Sequence, residues 1–218
     1  LNHPYRHGSR TLPSCPHCKI LSAMGMLLNI ASLIDALTRY VGRAIIWLIL
    51  AATLISAANA VARKVFSVGS NAFLEIQWYL FAAVFMLGAG HAFLQNAHVR
   101  IDVLANKLSK RTRMYIDIGG ILLFLLPMCY LISSFAWPVL MAAYASGEVS
   151  SNAGGLIRWP LYALVPAGFG LLALQGVSEI IKRAAFLSGA GPDPTLHETY
   201  AHDPLGTEHA HSAQPASG

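Results

Sequence analysis

The chain has 218 residues, 55% of them hydrophobic and only 11% charged, with a formal net charge of +5. A soluble domain carries about 25% charged residues, so the composition excludes an ordinary water-soluble fold and points to an integral membrane protein. The basic balance does not mark nucleic-acid binding, which needs a cationic face with stacking aromatics on a soluble domain; it fits loops that face anionic lipid.

Residues 1–19 are rich in proline, histidine and basic residues and show no periodicity, so a disordered arm is expected there. The arm holds Cys15-Pro16-His17-Cys18. This is the spacing of a thiol redox tetrad, but that chemistry needs a helix N-terminus in a βαβ setting, and zinc would need further ligands nearby. We read the tetrad as incidental, and no metal or other cofactor is expected. Residues 20–34 form an apolar run of 15 residues leading to Asp35 and Arg39. A span needs about 20 apolar residues, so the run predicts an amphipathic or juxtamembrane helix.

Four runs without Asp, Glu, Lys or Arg follow, at 44–62, 76–99, 118–147 and 159–178. Each is long enough to cross a bilayer as a helix. The third, at 30 residues, exceeds a span and contains Pro127 and Pro138. Proline removes a backbone donor and clashes with the preceding turn, which predicts a kink near Pro127 and an exit near Pro138. Pro160 falls in the first turn of the fourth run, where proline is tolerated. Residues 188–218 carry four acids and no Lys or Arg among many His, Pro and Gly, and read as a disordered acidic tail.

Basic residues alternate with the runs. Twelve lie in the N-terminal arm, the loop after the second run and the C-terminal segment; three lie in the first and third loops. The positive-inside rule then places both termini and the middle loop in the cytoplasm, and an even number of spans agrees. The fold expected is therefore an all-α membrane protein of four transmembrane helices plus the N-terminal helix, over residues 20–187.

Candidate functional groups gather at the mouths of the spans. His91 is the ionisable residue in mid-span, where a hydrogen bond to a neighbouring helix is expected of it. At the start of the second span stand Glu75, Gln77 and Trp78; an acid there suits the helix dipole, and Trp suits the interface. At its end His98, Arg100 and Asp102 alternate with apolar residues, and Asp102 can cap a short helix from Val103. Asn152, Arg158 and Trp159 mark the loop into the fourth span. Ser70-Asn71-Ala72 precedes Trp78 at the spacing by which Ser151-Asn152-Ala153 precedes Trp159, a short internal echo of two helix hairpins.

These residues, Leu74-Glu75-Ile76-Gln77-Trp78, Leu87-Gly88-Ala89-Gly90, His98-Val99-Arg100-Ile101-Asp102-Val103 and Ser151-Asn152 through Arg158-Trp159-Pro160, resemble the small, four-helix, DctQ-like membrane subunit of tripartite ATP-independent periplasmic (TRAP) transporters. The resemblance covers roughly Asp35 to Arg183. It implies a non-enzymatic scaffold in a bacterial inner membrane, joined to a large DctM-like membrane subunit. That subunit takes up an organic acid or another carboxylate with sodium, delivered by a periplasmic substrate-binding protein. Membrane lipids are partners in any case, and nucleic acid is not. A competing reading is a four-helix membrane oxidoreductase of quinone or thiol type, for which the spans offer only Cys129 and His91.

Overall fold

A computed structural model describes residues 16–67, 71–95, 109–152 and 155–189. The expected arm up to residue 15, the tail from 190, and His98, Arg100 and Asp102 lie outside them. In chain order the elements are α1 (Pro16–Val65), α2 (Asn71–Leu94), α3 (Lys110–Gly120), a π-helical turn (Ile121–Leu125), α4 (Leu126–Ser146) and α5 (Trp159–Leu187). Among the described residues an isolated antiparallel bridge joins Val149 and Ile157. Helix is what lipid demands of an uncharged segment, because each backbone donor and acceptor must find its partner within the segment. Four stretches are long and apolar enough to cross a membrane: Met24–Val65, Asn71–Leu94, Arg111–Ser146 and Trp159–Leu187.

The structure departs from the sequence expectation in two places. Residues 20–34 are not a separate element but the first half of α1, which runs for 50 residues without a break. Asp35, which ends that run in the sequence, turns inward and bonds to α5, as does Thr38 one turn on. Pro138 does not end its helix, since α4 continues to Ser146 and stops at Gly147 in the left-handed conformation (φ 62°). Leaving the helix at Pro138 would strand further backbone groups in an apolar setting, a larger loss than one missing donor. Around Pro127 the chain takes up the strain as the π-helical turn, in which the Leu126 N–H bonds to the Ile121 carbonyl five residues back.

α5 is the hub. It packs against α1, α2, α3 and α4, while α1 and α2 also pack on each other. The rod made of α3, the π-helical turn and α4 rests chiefly on α5. Glycine permits the close crossings. A Cβ on Gly168 would stand 2.6 Å from the Met86 carbonyl oxygen, so the α5 backbone lies directly against α2. A Cβ on Gly90 would meet Leu171 at 3.2 Å, and one on Gly176 would meet Leu125 at 3.0 Å. The outward surface is apolar, with Trp47, Phe85, Phe124 and Phe135 all more than 70% exposed.

Gly168→Ala is expected to lower the unfolding stability of the detergent-solubilised protein by about 1–3 kcal/mol through overpacking. Gly170→Ala, whose Cβ would meet nothing within 4 Å, is the matched control and should leave the unfolding midpoint in place. Equal midpoints for the two variants would contradict the close α2–α5 approach.

Candidate functional site

Two polar clamps sit near opposite ends of α5. Arg158 to Glu179 is 21 residues, about 31 Å of helix, close to the ~30 Å thickness of a bilayer's hydrocarbon core. Each clamp therefore falls where an interface would be.

The first clamp is built on Glu75, in the second turn of α2 and only 5% exposed. Its Oε1 accepts from the Ser150 hydroxyl and from Asn152 Nδ2 at 2.7 Å. Its Oε2 accepts the Leu156 backbone N–H at 2.9 Å. The loop that supplies these donors is folded on itself. Ser150 N–H bonds to the Leu156 carbonyl at 2.9 Å, and Arg158 N–H to the Glu148 carbonyl at 3.0 Å. Gly155 is required at the turn, because a Cβ there would stand 2.2 Å from the Ser150 carbonyl oxygen. Tyr79 adds a long hydrogen bond, 3.4 Å, to the Ile157 carbonyl. The carboxylate thus staples the α4–α5 loop onto the start of α2.

Arg158 does not join Glu75 in this bonding. Its Nη1 pairs with Glu148 Oε1 at 2.6 Å, with both side chains about 40% exposed. That hydrogen bond holds the Arg158 guanidinium above its ordinary pKa. Trp159 packs edge-on against Tyr144, with ring centroids 5.6 Å apart. Trp78 is 67% exposed, and Gln77 lines a groove against α1. Of the residues singled out from the sequence, the structure therefore brings Glu75 and Asn152 together and leaves Gln77, Trp78, Arg158 and Trp159 in separate settings.

The second clamp joins α1, α3 and α5. Asp35 Oδ1 accepts from Gln175 Nε2 at 2.9 Å and Ser178 Oγ at 2.8 Å, and its Oδ2 pairs with Lys182 Nζ at 3.0 Å. Gln175 Oε1 accepts from Thr38 Oγ1 at 2.8 Å. Lys182 also pairs with Glu179, Glu179 with Arg183, and Arg183 Nε reaches Asp117 Oδ2 on α3 at 3.3 Å. Thr38, Gln175 and Ser178 are fully buried, and Glu179 and Arg183 nearly so. Sequence reasoning assigned none of these residues a role. The signal was present: Gln175, Ser178, Glu179 and Lys182 fall at i, i+3, i+4 and i+7, one polar stripe on one face of a helix. His91 also departs from expectation. Its Nδ1 is buried with no hydrogen-bond partner among the described residues, and the ring sits where a Cβ on Gly42 would be.

Within each clamp the polar groups are directed at one another. Among the described residues no group of three His, Cys, Asp or Glu side chains is arranged to hold a metal ion. The class this defines is a multi-pass helical membrane protein whose polar groups join its own helices. Residues 52–186 match the family model described as "Tripartite ATP-independent periplasmic transporters, DctQ component". The match runs from the second half of α1 to the last turn of α5, and the chain belongs to that family. No curated protein and no solved structure matches the chain.

The clamps differ in what their loss should do. Arg183→Met strips Glu179 of one partner inside the bundle and is expected to cost about 3–5 kcal/mol of stability. Arg158→Met breaks an exposed pair and should leave the unfolding midpoint unchanged. Glu75→Ala releases the Ser150, Asn152 and Leu156 donors together, so protease should nick loop 147–158 faster than in the parent while the helical content holds. An unchanged cleavage rate would show that the loop is held by other contacts.

Proposed function

We propose that this chain is the small permease subunit of a TRAP-type secondary transporter and serves as fixed scaffold for a large, DctM-like membrane subunit. The observation that carries the proposal is the family match across all four spanning helices. The geometry supports a scaffold in particular. Among the described residues the buried charges are engaged within the fold, Glu179 with Arg183 as an ion pair and Glu75 by neutral donors, and a group engaged in this way is not available to bind and release an ion. The coupled movement of sodium and of an organic acid or another carboxylate then belongs to the large subunit, with a periplasmic binding protein delivering the substrate. The oxidoreductase reading is not favoured by the family.

The distribution of basic residues supports an inner-membrane orientation with both termini in the cytoplasm. In this orientation the Asp35 clamp lies at the cytoplasmic face and the Glu75 clamp at the periplasmic face. Glu75, Asn152, Arg158 and Trp159 then surround the outer surface that meets the large subunit or the binding protein. His98, Arg100 and Asp102 lie toward the inner face.

The test is co-expression with the large permease encoded nearest to this chain's gene. The two should copurify, and uptake should be lost when either is deleted. Uptake that survives deletion of this chain would overturn the proposal. Arg158→Glu, at an exposed pair that the fold does not need, should leave copurification intact and reduce uptake. Unaltered uptake would remove Arg158 from the docking surface.

A further inference from the structure

Between the last turns of α1 and the first turns of α2 lies a groove of about 540 Å³. α1 lines it with Ser56, Asn59, Arg63 and Lys64, and α2 with Leu74 and Gln77. Ser56, Asn59 and Arg63 stand at i, i+3 and i+7, a polar stripe about 10 Å long on one face of the helix. Elsewhere in the bundle such a stripe is matched by an opposing helix. Here, among the described residues, Ser56, Asn59, Arg63, Lys64 and Gln77 have no side-chain hydrogen bond or ion pair within the protein. Glu75, the acid nearest in sequence, is occupied by Ser150, Asn152 and Leu156 and does not compensate the two cations. The groove is therefore a set of unused donors around two adjacent positive charges.

What lies along the same helix faces identifies the occupant. Continuing the groove face of α2 by helical spacing from Leu74 and Gln77 leads to Phe81 and Phe85, which are 40% and 73% exposed. Continuing that of α1 from Ser56 by two turns leads to Ile49, 46% exposed. A cationic, donor-rich head position thus opens onto an exposed apolar track pointing into the membrane. A free anion would use only the first part, and an acidic protein surface would not reach the second. An anionic amphiphile uses both.

We propose that this groove binds an anionic glycerophospholipid. Its phosphodiester lies between Arg63 and Lys64, its headgroup hydroxyls meet the Asn59 and Gln77 amides, and an acyl chain runs over Ile49, Phe81 and Phe85. The site needs only that the chain be a membrane protein and does not rest on its transport role.

The test is native mass spectrometry of the full chain in a non-ionic detergent, offered equal amounts of phosphatidylglycerol and phosphatidylcholine with matched acyl chains. The parent should retain phosphatidylglycerol selectively. Arg63→Gln with Lys64→Gln should cut that selectivity by roughly 25-fold, from about fivefold per cation. Asn59→Ala with Gln77→Ala, which keeps both charges, should cut it by roughly threefold through lost hydrogen bonds. Among the described residues these side chains hold no hydrogen bond or ion pair, so helical content should be unchanged in both variants. Excess inorganic phosphate should leave the lipid adduct in place. Equal retention of the two lipids by the parent would overturn the proposal and leave the cations to an acidic protein surface. Displacement by inorganic phosphate would reduce the groove to a plain anion site. An unaffected amide variant would reduce it to diffuse attraction at a charged surface; either result overturns the built lipid site.

Discussion

The arrangement of this molecule depends on charge held out of water at the junction of α1, α3 and α5. Glu179 and Arg183 are buried next to one another, and removing ions from water costs several kcal/mol each unless partners are closely placed. Those partners come from three helices: Lys182 on α5, Asp35 on α1 through Lys182, and Asp117 on α3. Apolar packing between helices in lipid is weakly specific, because lipid tails are as apolar as the side chains they replace. The polar contacts are not. A one-turn slip of α1 along α5 would carry Asp35 about 5.4 Å away from Lys182, Ser178 and Gln175 at once. The network therefore sets the register in which the other helices assemble.

The Glu75 clamp supplies a second fixed point at the far end of α5, and glycine contacts fill the distance between them. Gly90 against Leu171 and Gly168 against the Met86 backbone bring α2 and α5 together between the clamps. The triangle of α1, α2 and α5 is thus held at both ends and closely packed in the middle. The α3–α4 rod is different. Its ties include the Arg183–Asp117 pair, the packing around Gly176, the edge-on contact of Tyr144 with Trp159 and the loop that leads to α5. Much of its remaining surface is exposed and apolar, including Leu123, Phe124, Tyr130 and Phe135.

The four spans were legible in the sequence because lipid enforces a simple rule on uncharged runs. The polar clamps were harder to see, for a physical reason. Asp35 and Glu179 stand just outside the charge-free runs, and charges in that position ordinarily mark where a helix meets water. Here they face one another's helices, and only the helical spacing of Gln175, Ser178, Glu179 and Lys182 records it. Glu75 and Asn152 each stood out as polar residues at a span's mouth, but 77 residues separate them. Their meeting is a property of how α2 lies beside the α4–α5 loop, which no local pattern encodes. Pro138 misled in the opposite direction, because proline's effect on a helix depends on whether water is available to the backbone it frees.

The length of α1 has a mechanical consequence. The stretch of it that contains a membrane-spanning window, Met24–Val65, is 42 residues, about 63 Å along the axis, against a hydrocarbon core of about 30 Å. α2, at 24 residues, is about 36 Å long and fits nearly upright. The surplus of α1 begins where Asp35 locks it to α5, and its apolar residues Met26 and Leu33 remain about 70% exposed. A surface of that kind stays in lipid, so the free half of α1 must run obliquely or lie along the membrane beside the bundle. It acts as an outrigger. A load applied across the membrane to the compact part of the molecule would have to drag this arm through lipid before the bundle could tip, and the Asp35 clamp is the joint that transmits the resistance.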